Sequence, residues 1–153
     1  MKIAIASDNR GFTAKEHLKT VLKQQGHEVE DFGAYSSDSC DYPEMSYRAA
    51  DAVRSGKAVM GILLCGTGIG TSITANKVRG IRAALGHDEL TAETARRHND
   101  ANVLCLAADL TGEALIERIV EVWLGTSFDG GRHDRRLAML VDIERNEASR
   151  QDD

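Results

Sequence analysis

Short apolar runs and helical patterns alternate along this chain from end to end, and that alternation restricts the fold more than any other feature. The predicted strands are Lys2–Ser7, Glu28–Phe32, Ala58–Cys65, Ile81–Leu85 and Asn102–Leu106. Crossovers of more than about ten residues join parallel strands through helices that cover both faces of the sheet. The sequence therefore predicts a doubly wound α/β fold with a five-stranded parallel sheet.

Helical periodicity fills the segments between and after these runs. Thr13 and Glu16 have the spacing of a capping box at the start of the first helix. The predicted helices are Thr13–Gln25, Glu44–Ser55, a small-residue helix ending near Asn76, Glu89–Arg97, Gly112–Leu124 and His133–Asn146. The last helix follows a glycine-containing loop, so we expect it to pack on another subunit. Residues 1–146 form one domain by this reading, and the polar tail 147–153 is expected to fray.

Composition excludes several classes of protein. A net charge of −5 argues against nucleic acid as a partner, because binders of the phosphate backbone usually carry a basic balance. The apolar runs are too short for a membrane span or a signal peptide, so the expected location is the cytoplasm. The three cysteines, Cys40, Cys65 and Cys105, form no Cys-x-x-Cys pair. Neither a disulfide framework nor a structural zinc site is expected.

The stretch Ala58–Asn76 is the candidate for a functional centre, because a buried strand runs into a glycine-rich turn and a short helix. The glycine spacing, Gly66-x-Gly68-x-Gly70, differs from that of the dinucleotide-binding fingerprint and from that of the P-loop. Thr71 stands where a cysteine phosphatase of the Cys-x5-Arg type has its arginine. What remains is a turn whose main-chain N–H groups can stabilise an oxyanion or enediolate, or a turn that is only structural.

Cys65 ends the buried strand, at the start of this turn. A thiol near the start of a helix tends toward a lowered pKa, as a base or nucleophile requires. A free cysteine is also commonly an inert core residue, and both interpretations stay open here. Cys105, inside a strand, is interpreted as core, and Cys40 as incidental.

Further candidates lie just past the predicted strands and helices. His98 and Asn99 are expected in a loop on the rim of the sheet, as an acid/base with a hydroxyl-binding amide or as solvated side chains. Asp8 and Asp41 either serve the site or hold turns. Arg132 and Arg136, four residues apart, share a helix face as an anion clamp or a solvated basic face.

Seven short motifs, in order along nearly the whole chain, resemble the ribose-5-phosphate isomerase B family, which includes the galactose-6-phosphate isomerase subunits. They are Ser7-Asp8-x-x-Gly11-Phe12, Asp41-Tyr42-Pro43, Cys65-Gly-Thr-Gly-Ile-Gly70, Ala75-Asn76-Lys77, Gly80-Ile81-Arg82-Ala83, Arg97-His98-Asn99-Asp100-Ala101-Asn102 and Gly130-Gly131-Arg132-His133. The resemblance implies a Rossmann-like, three-layer α/β/α homodimer that can pair into a tetramer. It also implies active sites shared between two subunits and no metal or organic cofactor.

The resemblance further implies a role for each matching residue in an aldose–ketose isomerase that acts on a sugar or sugar phosphate. Thr67 and His98 assist ring opening, the Cys65 thiolate moves a proton between C1 and C2, and Asp41 shuttles a proton between the two oxygens. The backbone of Gly66–Gly70 holds the enediolate. The substrate-binding residues that the resemblance implies are Asp8, Asn9, Tyr42, Gly66, Gly68, Ile69, Gly70, Asn99, Asp109, Arg132 and Arg136.

Two positions depart from the family pattern. Phosphate-carrying members usually have His where this chain has Asn9 and Arg where it has Asp109. Three hypotheses account for these departures. In the first, Asp109 pairs with Arg132 or Arg136 and binds hydroxyls of an altered or unphosphorylated substrate. In the second, Arg10 turns inward and restores the charge, and in the third, residue 109 points away and ribose 5-phosphate remains the substrate. The sequence slightly favours an altered substrate.

Three hypotheses from other classes of protein compete with the isomerase hypothesis. A non-catalytic sugar- or nucleotide-binding module keeps Cys65, His98 and Asp41 apart or binds a sugar without converting it. A purely structural dimerisation protein fills the cleft with its own side chains. A thiol-dependent hydrolase lacks an evident carboxylate partner for His98.

Overall fold

The computed structural model describes residues 1–150, and its centre is a sheet of five parallel strands. Their order across the sheet is β2-β1-β3-β5-β4. The strands are β1 (Lys2–Ser7), β2 (Glu28–Asp31), β3 (Met60–Cys65), β4 (Ala83–Leu85) and β5 (Val103–Ala107). The central strands β1, β3 and β5 are buried on both faces, which explains their continuous apolar sequence. The predicted parallel sheet is confirmed.

Helices cover both faces of the sheet and complete a three-layer α/β/α fold. They are α1 (Phe12–Gln24), α2 (Tyr42–Arg54), α3 (Ile69–Ala75), α4 (Glu89–Asn99), α5 (Glu113–Gly125) and α6 (Arg132–Ser149). Helices α1, α4 and α5 pack on a face with large side chains such as Leu64 and Trp123. Helices α2 and α3 pack on the other face, where small residues such as Ala4 and Ala49 let the backbones approach.

Helix α6 differs from the other long helices because its sides are mostly exposed. His133 is its one buried residue among those described, whereas Met139, Leu140, Val141 and Ile143 are between 38% and 58% exposed. A turn near the end of α6 is hydrogen-bonded to the segment before β4, since Glu144 Oε1 accepts the N–H of Gly80 at 2.7 Å. The chain itself thus leaves an apolar side of α6 uncovered.

Several local predictions need correction. Thr13 and Glu16 form no capping box, because α1 begins at Phe12 and its N-cap, Gly11, makes no side-chain capping bond. Helix α2 begins at Tyr42, two residues before its predicted start, and Pro43 lies in its first turn, as its fixed φ permits. Helix α6 runs to Ser149, three residues beyond its predicted end. Residues 151–153 of the predicted frayed tail lie outside the described residues. Among residues 1–150, no helix is both long and apolar enough to cross a membrane.

Candidate active site

The sulfur of Cys65 lies inside the glycine turn, at the carboxyl end of β3. It accepts the N–H of Gly68 at 3.1 Å and lies 3.6 Å from the hydroxyl oxygen of Thr71. Gly68 has φ +73°, and a Cβ there would come within 3.0 Å of the backbone of Leu106. Only glycine meets both demands, which is why the turn closes on the sulfur. Cys65 is 4% exposed.

Side chains from two neighbouring loops surround this turn. Asp8, directly after β1, is buried, and its Oδ1 accepts the N–H groups of Arg10 at 2.9 Å and Gly11 at 3.0 Å. The turn-holding interpretation of Asp8 therefore applies to one carboxylate oxygen. Tyr42 begins α2, and its ring lies so close to Gly70 that a Cβ there would come within 2.6 Å of the ring.

Arg10 and Asp109 form an ion pair beside the turn. A Cβ on Gly66 would lie 2.5 Å from Asp109 Oδ2 and 2.9 Å from Arg10 Nε, so the pair packs directly on the residue after Cys65. Residue 109 thus faces the turn, and the interpretation in which it points away is wrong. Within one chain its partner is Arg10, not Arg132 or Arg136. Asp109 and Arg10 are 32% and 63% exposed at their side chains.

Three more predicted residues are close to this edge and retain accessible groups. Asn9 accepts the N–H of Cys40 at 3.5 Å, which ties the β1–α1 loop to the segment before α2. Asp41 is the exposed N-cap of α2 and makes no side-chain capping bond. Thr67 is exposed, and its hydroxyl accepts the N–H of Ile69 at 3.3 Å. Their positions agree with a shared cleft, while their roles stay predictions.

His98 and Asn99 are not in a loop, contrary to the sequence prediction, since they are the last two residues of α4. The rings of His98 and His133 stack with centroids 4.4 Å apart and planes 9° apart. Arg132, the first residue of α6, lies against His133, with its Nε 3.4 Å from Nε2. Burial and the positive charges of His98, Arg132 and Arg136 lower the pKa of His133. His133, to which the sequence analysis assigned no role in the site, links the two segments.

This second group lies at the opposite edge of the sheet from Cys65. Helix α4 leaves the carboxyl end of β4 and returns to the amino end of β5, where the Asn102 carbonyl accepts the N–H of Gly61 at 2.9 Å. Gly61 and Cys65 are four positions apart along β3. That distance is about 13 Å at the rise of a parallel strand. One chain therefore does not bring His98 and Asn99 to the sulfur.

His98, Asp129 and His133 offer ligand atoms within 4.8 Å of one another, as a metal site does. A nitrogen lone pair lies in the plane of its imidazole ring, so stacked, nearly parallel rings cannot direct both lone pairs at one ion about 2 Å away. The Asp129 carboxylate is bound by Arg97 at 3.1 Å, which also lowers its pKa. The stacked rings and the Arg97-bound carboxylate therefore do not have the geometry of a metal site.

Together, fold and site define a class: a parallel α/β protein with a thiol, main-chain N–H groups and carboxylates at the carboxyl ends of its strands. The family model for ribose/galactose isomerases matches residues 3–140. The chain belongs to this family. It is accordingly an enzyme of the aldose–ketose isomerase type, acting on sugars or sugar phosphates.

Individual relatives agree over nearly their full lengths. Ribose-5-phosphate isomerase B of Escherichia coli is 43% identical, covering 94% of this chain and 96% of that protein. A ribose-5-phosphate isomerase B structure from Clostridium thermocellum has a TM-score of 0.95 at 45% identity, covering 96% of this chain and 99% of that one. The Mycoplasma genitalium enzyme, solved with bound ribulose-5-phosphate, has a TM-score of 0.90 at 40% identity, covering 94% and 96%.

Proposed function

We propose that this protein is a cofactor-independent isomerase of the ribose-5-phosphate isomerase B type, which interconverts an aldose and a ketose through a cis-enediolate. The observation that carries the proposal is the Cys65 sulfur, held at 3.1 Å from the N–H of Gly68 inside a turn at a sheet edge. A hydrogen-bond donor favours the thiolate over the thiol. The cytoplasmic location expected from the sequence belongs to the same proposal.

The proposed reaction is a proton transfer that leaves the number of atoms unchanged. Thr67 and His98 assist ring opening, and the Cys65 thiolate then takes the proton from C2 of the open aldose. The electron pair moves to the carbonyl and forms an enediolate, which the N–H groups of Gly66–Gly70 stabilise. Asp41 moves a proton between O1 and O2. The Cys65 thiol finally returns its proton to C1 and yields the ketose.

We further propose that a second copy of the chain completes each site. The sulfur half and the imidazole–arginine half lie at opposite edges of one sheet, so a single chain holds two incomplete half-sites. In a symmetric dimer each half can meet its complement. Support comes from the uncovered apolar side of α6, next to the half-site that contains Arg132 and Arg136. Asn99 binds hydroxyls in this arrangement, and the dimers can pair into tetramers.

The Arg10–Asp109 pair supports an altered substrate pocket. A phosphate is attracted by Arg132 and Arg136 of the second copy, but beside Gly66 it meets a guanidinium already neutralised by Asp109. Hydroxyl groups can then be bound by Asn9, by Tyr42 and by the carboxylate oxygens of Asp8 and Asp109 that do not accept from Arg10 or Gly11. We propose a sugar whose length or substitution differs from ribose 5-phosphate. The second candidate is ribose 5-phosphate itself, which the relatives' names favour.

One set of rate measurements separates these candidates. kcat/KM is measured for ribose 5-phosphate and for aldoses and ketoses of other lengths, each with and without phosphate. Efficient turnover of ribose 5-phosphate alone would refute the altered pocket but leave the isomerase intact. Cys65→Ala is expected to abolish turnover and to keep the melting temperature. Solvent-hydrogen exchange at C2 tests the non-catalytic alternative, because a binding module without a base exchanges none.

A further inference from the structure

Thr71 places a buried hydroxyl against the sulfur of Cys65, and no step of the proposed reaction uses it. The residue is 1% exposed and stands in the first turn of α3. Its Oγ1 lies 2.9 Å from the carbonyl oxygen of Gly68 and 3.6 Å from Cys65 Sγ. Both contacts are within hydrogen-bonding distance, given the larger radius of sulfur. The hydroxyl proton therefore has alternative acceptors, namely the Gly68 carbonyl, the Cys65 sulfur and the sulfur of Cys105.

The protonation of the sulfur decides which acceptor is used. A neutral Cys65 thiol can donate its proton to Thr71 Oγ1 while the Thr71 hydroxyl donates to the Gly68 carbonyl. A thiolate can only accept, so the hydroxyl proton is attracted to the sulfur. The Gly68 carbonyl still accepts the N–H of Ser72 at 3.1 Å after the hydroxyl turns away. No buried polar group loses its last partner when the proton changes direction.

The second cysteine of this region does not compete for the same role. Cys105, on β5, lies on the same face of the sheet and is fully buried. Burial raises the pKa of the Cys105 thiol to about 12, although the Thr71 hydroxyl acts in the opposite direction. Cys105 thus stays a neutral thiol, whereas Cys65 alone receives a main-chain donor. The other charged or titratable groups around the turn are Asp8, Arg10, Tyr42 and Asp109.

We propose that Thr71 is a positioning residue for Cys65, whose hydroxyl holds the sulfur over the glycine turn and donates to it once the thiol has lost its proton. The inference rests on the proposed role of Cys65 as the base. It adds a side-chain donor to the main-chain donor of Gly68. Two donors at one sulfur fix its direction as well as its charge, which a base aimed at a carbon requires.

The experiment measures the pKa of the Cys65 thiol directly. The ultraviolet absorbance of the thiolate is followed against pH in a Cys40→Ser background, and the titration of a Cys65→Ala protein is subtracted. A hydrogen bond to a charged group stabilises it enough that Thr71→Val is expected to raise the thiol pKa by about one unit. Thr71→Ser keeps the hydroxyl and is expected to restore the original value. The acidic limb of the pH profile of kcat/KM should shift by the same amount as the thiol pKa.

Thr74 supplies the matched control. It lies in the same helix, one turn after Gly70, and its hydroxyl donates to the Gly70 carbonyl at 2.9 Å. Thr74→Val removes the same kind of helix-internal bond without touching the sulfur. It is expected to leave the thiol pKa and the acidic limb unchanged.

A folded Thr71→Val protein with an unchanged thiol pKa overturns the inference, and so does an equal shift in Thr74→Val. If the valine does not fold, Thr71→Ala carries the same expectation without a new methyl group beside the sulfur. Failure of the proposed function looks different: Cys65→Ala would keep its isomerase activity. The absorbance titration reports on Thr71 in either case.

Discussion

The guanidinium of Arg10 and the carboxylate of Asp109 pair across Gly66, the residue that follows Cys65. Arg10 comes from the loop after β1, and Asp109 from the loop after β5. These loops are not neighbours in sequence and meet only because β1 and β5 flank β3. Because the two charges cancel, Arg10 does not present a free positive charge beside the turn.

The first prediction tests that cancellation. Asp109→Asn leaves Arg10 unpaired, and a free guanidinium attracts a phosphate dianion. A pair at about 4 Å and an effective dielectric near 20 is worth roughly 4 kcal/mol before screening. If solvent screening leaves about a third of this energy, KM changes by about tenfold. We expect KM for phosphorylated sugars to fall by about that factor and KM for free sugars to stay the same. Arg10→Met should act oppositely, and equal changes for both substrate types would contradict the assignment.

The second prediction concerns sharing of the site between two copies. Cys65→Ala and His98→Asn are each expected to be inactive. When the two proteins are mixed in equal amounts and allowed to exchange subunits, half of the dimers contain one copy of each, and each of these has one intact site. Activity should recover to about a quarter of the wild-type value, since the other site carries both defects. Proven exchange without recovery would place the sulfur and imidazole of each working site in one chain.

The third prediction concerns the uncovered side of α6. Leu140, 48% exposed, lines a cavity of about 330 Å³ together with Val141 and Glu144 of α6 and the segment around Ile81. Leu140→Glu places a charge on this apolar surface and is expected to give monomers in sedimentation velocity, with loss of activity and unchanged helix content. Leu90→Glu is the control, because Leu90 is 69% exposed on α4. Monomers that keep full activity would contradict the shared site.

The fourth prediction concerns a buried ion pair beneath α1. The side chain of Lys15 is fully buried, and its Nζ lies 2.6 Å from Asp31 Oδ2 and 2.8 Å from Glu16 Oε1. Removing Asp31 leaves the buried Lys15 ammonium with Glu16, whose side chain is 42% exposed, and this partial loss of compensation costs about 2 kcal/mol. Asp31→Asn should lower the free energy of unfolding by about that amount at neutral pH. Lys15→Met removes the charge itself and should cost less. Glu121→Gln, at an exposed pair with Arg118, is the control.

The same pair has a defined pH dependence. Burial alone would raise the pKa of Asp31, but hydrogen bonds from Lys15 and Lys19 outweigh it and hold the pKa below its usual value. A carboxyl with a lowered folded pKa adds stability above its unfolded pKa and loses it as pH falls through the folded value. The difference between wild type and Asp31→Asn should therefore shrink below about pH 4. A difference that stays constant in acid would mean that Asp31 acts without its charge.

Much of this protein was predictable because the decisive signals are local. Alternating apolar runs and helical periodicity define a parallel sheet, since each reflects burial of a strand or of one helix face. The Cys65 turn was recognisable because its glycines stand directly after a buried strand. The placement of His98 was also within reach: a helix that starts at the carboxyl edge, as α4 does, ends at the amino edge.

Only the tertiary structure decided which side chains meet. Arg10 and Asp109 are far apart in sequence and pair because β1 and β5 flank the same strand. Thr71 reaches Cys65 only because Gly68 adopts a positive φ and folds α3 back over the sulfur. Sequence patterns report how each segment buries its own surface, whereas contacts between segments depend on the order of strands across the sheet.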